Sequence, residues 1–172
     1  MRKPRGFTLI ELLVVLAIIG ALLAIGLPLT RSFVGKSREA ACLTNLRSLG
    51  VGLQTYLQEH QEIMPELAIG RTAKTDDVAV IDTVLLPYVG TSDAFHCPAD
   101  KVEFGKTGCS YNWNHLQNKL HVSKLYFFGV REDTIPLITD KESWHPSGTN
   151  YLYADMSSSN KLRIAAGNQK AE

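Results

Sequence analysis

The sequence predicts an α+β fold: one long N-terminal helix packed on a small antiparallel β-sheet head domain. Three observations predict it. No charged residue occurs from Leu12 to Leu29, so the first part of the helix is apolar all round. Leu43, Leu46, Leu49, Leu53 and Leu57 then recur at spacings of three and four, which places them on one helical face. Beyond Met64-Pro65 the chain breaks into short apolar segments separated by Pro, Gly and Asn, the pattern of short strands and loops.

Taken in order, the chain divides into a basic leader at 1–6, an apolar helix at 7–30, an amphipathic continuation at 31–62 and a head at 63–172. The helix should run from Thr8 to about Gln58, about 75 Å at 1.5 Å per residue. Pro28 removes a backbone hydrogen bond and should kink or locally melt it. Gly50 and Gly52 lie within the leucine stripe; close backbone packing and mere tolerance are both open readings. Asp76 or Asp77 should cap a short helix from Val78 to Leu86, ended by Pro87 and Gly90. Tyr126 to Phe128, Ile135 to Ile138 and Tyr151 to Ala154 read as β segments. Met156 to Asn160 reads as a turn, and Lys161 to Ala165 as the returning strand of a hairpin.

Composition narrows the function. Among 172 residues, 18 Lys and Arg face 17 Asp and Glu. Without Arg2, Lys3 and Arg5, 15 basic residues face 17 acidic ones, a net of −2. Such a chain is not a nucleic-acid binder driven by bulk charge. The apolar run is long enough to span lipid, which needs about 20 residues. Glu11 interrupts its start. A carboxylate in lipid costs roughly 2.5–3.5 kcal/mol, so it needs a partner or a function. A conventional signal peptide or a plain signal anchor gives Glu11 neither.

The stretch Arg5-Gly6-Phe7-Thr8-Leu9-Ile10-Glu11 and the apolar run that follows it resemble the prepilin-type processing signal of type IV pilins and type II secretion pseudopilins. The resemblance implies cleavage by a prepilin peptidase between Gly6 and Phe7, N-methylation of Phe7, and a role for Glu11 in assembly, neutralising the Phe7 amine of a neighbouring subunit. It implies a single pass of the inner membrane with lipid around the helix, the leader in the cytoplasm and the head outside. The partners implied are other pilin or pseudopilin subunits and inner-membrane assembly machinery, in a type IV pilus or a secretion pseudopilus. The other class considered is a membrane-anchored extracytoplasmic binding or sensory domain that uses the same export route without polymerising. Cys42 to Leu67 resembles the helix exit of a pilin-like group whose members also end in a histidine, nine residues and Asp-Gly. Here that motif is His145 to Asp155, with Met156 in place of the glycine.

The head carries little catalytic chemistry. Of Cys42, Cys97 and Cys109, the expected disulfide is Cys97–Cys109, with free thiols as the second reading and metal on His96, Cys97, Cys109 and His115 as the third; these spacings fit no common zinc framework. His145 and Asp155 are expected to hold the C-terminal loop and turn together. Calcium on Asp140 or Asp155 is a secondary reading, because major pseudopilins bind calcium near the C-terminus and few oxygen ligands are visible here. Otherwise no cofactor is expected. A lone His and Asp make a weak triad case, because Ser147 lies in nothing resembling a nucleophile elbow. The chain reads as structural, not enzymatic.

Overall fold

The computed structural model describes residues 8–127, 129 and 132–163, and for 25–29, 31 and 132 the backbone alone. Helix α1 is continuous over Leu9–Glu59. It passes Pro28 without melting. Four short strands follow the helix: β1 (Tyr111–Trp113), β2 (Pro136–Asp140), β3 (Tyr151–Tyr153) and β4 (Ser158–Ser159). They form an antiparallel meander in the order β1-β2-β3-β4. The fold is therefore the α+β arrangement of one long helix on a small antiparallel sheet.

The C-terminal half of α1 supplies one wall of the core. Cys42, Leu46, Leu49, Leu53 and Leu57 are buried, whereas Leu43 is only half-buried. The buried stripe thus begins one residue earlier than the leucines indicate. It meets Phe95, Tyr111, Trp113, Ile135, Leu137, Ile138 and Leu152 from the head. Two glycines set the separation. A Cβ on Gly50 would lie 3.0 Å from Leu152 Cδ1, and one on Gly52 would lie 2.5 Å from Val89 Cγ2. Close packing is therefore the reading the structure supports for both.

Several elements differ from expectation. The short helix is two single turns, α2 (Ile81–Val84) and α3 (Leu86–Val89). Val80 holds the N-cap position of α2 without a side-chain cap, while Asp76 accepts from the amides of Thr72 and Ala73 in the preceding loop. Pro87 lies inside the first turn of α3 rather than ending a helix; Gly90, at φ 78°, ends it. A further turn, α4 (Glu103–Thr107), begins where Asp100 accepts from the amides of Val102, Glu103 and Phe104. Tyr126 and Phe127 are not strand, and Phe128 lies outside the described residues. The returning strand is Ser158–Ser159 rather than Lys161 to Ala165. The polypeptide turns at Ala154-Asp155-Met156, with Met156 N–H donating to the Tyr153 carbonyl at 2.9 Å. Met156 adopts φ 61°, which explains why the related motif carries glycine there.

Candidate assembly helix and its anchorage to the head

Among the described residues, no head residue covers the N-terminal half of α1. Leu9, Ile10, Leu12, Leu13, Leu16, Ile18, Leu22 and Leu23 are exposed, Leu9 to 82% and Leu22 to 67%. Phe33 extends this surface at 70% exposure. Apolar side chains on every face of a helix cannot be accommodated in water. Among the described residues no helix is long and apolar enough to cross a membrane.

The start of this helix is capped. Thr8 Oγ1 accepts from the Glu11 amide at 3.3 Å, and Glu11 Oε2 accepts from Thr8 N–H and Thr8 Oγ1 at 2.8 Å. This capping box satisfies amides that no helical carbonyl reaches. The Thr-x-x-Glu spacing announces such a box in the sequence, and the reading of Glu11 as a carboxylate lacking a partner overlooked it. Gly6 and Phe7 lie outside the described residues.

Anchorage begins near Gly35, whose α-carbon region abuts Pro146. Glu39, buried on α1, accepts from Asn160 Nδ2 at 2.6 Å and from the Ser147 hydroxyl. Burial alone would raise its pKa; the two hydrogen bonds outweigh it and hold the carboxyl below the usual range. Nothing in the local sequence singles out Glu39, because its partners lie 108 and 121 residues away.

One helical turn on, Cys42 is disulfide-bonded to Cys97, with Cα atoms 5.1 Å apart. The expected Cys97–Cys109 bridge is thereby corrected. Cys42 falls in phase with the buried leucine stripe and faces the head, so it meets Cys97 despite a sequence separation of 55. Cys109 is a buried free thiol whose pKa burial pushes up to about 12. Its Sγ donates to the Tyr111 carbonyl at 3.5 Å. The Cys97 loop is fixed in turn: Ser110 Oγ accepts from Cys97 N–H at 3.0 Å and donates to Asp100 Oδ2 at 2.6 Å. For Asp100, burial pushes upward, but the Ser110 hydroxyl and three amides prevail and hold its pKa below the ordinary value.

His145 lies beside this disulfide, with Nε2 3.3 Å from Cys97 Sγ and 3.5 Å from Asp140 Oδ2. Asp140 Oδ2 also accepts from the Asn150 amide at 2.8 Å. Burial pushes the Asp140 carboxyl up to about 7 and the His145 imidazole down. The pair is therefore a close contact in a dry site, not a full ion pair at neutral pH. Asp155 occupies a different environment. It is exposed at the β3–β4 turn, accepts from Ser157 N–H at 2.9 Å and lies 3.7 Å from Arg163 Nη1. Thus Asp140 sits with His145, and Asp155 with Ser157 and Arg163. Among the described residues, His96, Cys97, Cys109 and His115 of the zinc reading form no metal-binding cluster. His96 stacks on Phe104 at 4.3 Å, and His115 opens a 3-10 turn at His115–Gln117.

A head clamped to half of a helix, whose other half is bare and apolar, defines a subunit built to be covered by something else. The family model for the prokaryotic N-terminal methylation motif matches residues 1–27. A fimbrial protein of Moraxella nonliquefaciens is 33% identical over 116 residues, covering 64% of this chain and 72% of that protein. The type IV major pilin protein PilA of Myxococcus xanthus is 44% identical over 57 residues, covering 33% of this chain and 26% of that one. A fimbrial protein of Pseudomonas aeruginosa is 29% identical over 92 residues, covering 54% and 58%. No solved structure matches. The chain belongs to the type IV pilin family of fimbrial proteins. It is a structural subunit, not an enzyme.

Proposed function

We propose that the chain is a filament subunit that matures by cleavage between Gly6 and Phe7 and N-methylation of Phe7. It then waits in the inner membrane through its 7–30 segment, with 31–62 leading to an extracytoplasmic head at 63–172. A prepilin peptidase, membrane lipid and inner-membrane assembly machinery are its partners before polymerisation, and other pilin subunits are its partners afterwards. The observation that carries this reading is the uncovered apolar surface from Leu9 to Leu23 on a helix whose continuation is clamped to the head. Lipid solves the solvation problem before assembly, and neighbouring helices solve it afterwards.

Glu11 then has two successive roles. In the single chain it caps α1 with Thr8. In the polymer its carboxylate faces the Phe7 amine of a neighbour and sets register, because a charge removed from water is tolerated only when paired. The relatives are pilins and fimbrial proteins by name, which favours a pilus over a secretion pseudopilus. The test has two arms. Intact-mass analysis of membrane-extracted protein should give a chain starting at N-methylated Phe7, and the protein should be present in sheared surface filaments. Retention of Met1 would remove the maturation step. Correct maturation with absence from filaments would leave a non-polymerising anchored domain.

A further inference from the structure

Cys42, Cys97, Asp140 and His145 come from four separate segments, and one ligand atom of each lies within 4.8 Å of all the others. All four residues are buried. The arrangement is nearer to a metal site than burial requires. A tetrahedral zinc site with Zn–S about 2.3 Å and Zn–N or Zn–O about 2.1 Å has edges of about 3.4–3.8 Å. His145 Nε2 already stands 3.3 Å from Cys97 Sγ and 3.5 Å from Asp140 Oδ2. Two edges are thus set, and the chief rearrangement needed is separation of the two sulfurs.

The polar atoms of the site support the same reading. Asp140 Oδ1 is buried without a hydrogen-bond partner. A buried carboxylate oxygen left unpaired is costly. A cation would use the carboxylate directly. Two thiolates, an imidazole and one carboxylate suit a borderline-soft divalent ion and not calcium or magnesium, which take oxygen ligands.

We propose that Cys42, Cys97, His145 and Asp140 bind a zinc-class divalent cation when the disulfide is reduced, so that either a disulfide or a metal closes the junction between α1 and the head. Reduction by a cellular dithiol is balanced. The dithiol gives two electrons and two protons to the Cys42–Cys97 bond, becoming a disulfide itself, and both cysteines become thiols. Binding of the cation then releases the two thiol protons to solvent. The disulfide form belongs to an oxidising compartment and the metal form to a reducing one.

The test uses the full chain in detergent, reduced anaerobically with a trialkylphosphine, which becomes its oxide with oxygen taken from water. Cobalt(II) is titrated as the spectroscopic stand-in for zinc. One cobalt per chain should give thiolate charge-transfer absorption and tetrahedral visible bands, both removed by stoichiometric zinc and both absent before reduction. Cys109→Ser should retain the bands, Cys42→Ser should lose the charge-transfer intensity of one thiolate, and His145→Ala should weaken binding by roughly tenfold or more. Far-UV circular dichroism guards against unfolding. If reduction melts the head, zinc should restore it. A folded reduced chain without charge-transfer bands would overturn the proposal. So would a melted one that zinc does not restore, or bands unchanged in Cys42→Ser.

Discussion

The two halves of α1 share one backbone and opposite surroundings. Between Leu9 and Leu23 the large apolar side chains are exposed around the helix, whereas between Cys42 and Leu57 they are buried along one stripe. The first stretch is almost wholly apolar, whereas in the second polar residues and glycines take the faces that the stripe leaves. An all-round apolar helix calls for a non-aqueous neighbour on every side; a stripe calls for one folded partner. Each half therefore responds to a different class of mutation, and the head should be indifferent to changes in the first.

Removing the staple should give the largest effect on the head. Cys42→Ser breaks a cross-link that closes a 55-residue separation, worth about 4 kcal/mol in the chain-entropy model. Thermal melting should show the loss, and non-reducing peptide mapping of the parent should recover a Cys42–Cys97 peptide pair. Recovery of Cys97–Cys109 instead would break the account of how the two halves are joined. Next, Leu53→Ala should cost about 2–5 kcal/mol, the range for deleting a buried leucine. Leu13→Ala, on the exposed half, should leave head melting unchanged. Equal losses from the two would erase the distinction.

Much of this was legible in sequence, and the misreadings have physical causes. The helix was readable because periodicity is local: expected from Thr8 to about Gln58, it spans Leu9–Glu59. The disulfide was misread because nearness along the chain stood in for nearness in space. The better signal was the phase of Cys42, four residues before Leu46 and in line with Leu49 and Leu53. Strand β1 was passed over although Tyr111 and Trp113 are buried on either side of a half-buried Asn112, a period of two. The helix expected at Val78 to Leu86 broke into turns because its apolar residues serve different contacts. Val78 is exposed and Ile81 fully buried. Glu39, Asp140 and His145 could not be assembled from sequence, since their partners arrive from distant segments.

A smaller effect should come from the cap that fixes the Cys97 loop. Asp100→Asn should cost about 1–2 kcal/mol, because a charged acceptor of three amides and a hydroxyl becomes neutral. Its folded pKa lies below the ordinary carboxylate value. The stabilisation is therefore present above pH about 4 and is lost as pH falls through the folded pKa. The wild-type and variant melting curves should converge in acid; a gap that persists at low pH would assign the cost to geometry instead of charge. The smallest effect should appear at the β3–β4 turn. Met156 holds φ 61°, so Met156→Val should lower stability by about 1–2 kcal/mol. Met156→Gly should be near neutral, since relief of that conformation offsets lost packing on the core. A glycine variant as damaged as the valine one would mean that the side chain, not the backbone, matters there.

The central claim is that the N-terminal half of α1 serves assembly while the C-terminal half serves the head. Incorporation of Glu11→Ala into sheared filaments, measured together with its membrane insertion and head melting, tests it most directly. The account predicts loss from filaments with insertion and melting unchanged, because among the described residues Glu11 hydrogen-bonds Thr8 and no head residue, and it gains its essential partner in the polymer. Normal incorporation of the alanine variant, or a head that melts earlier with it, would contradict the account.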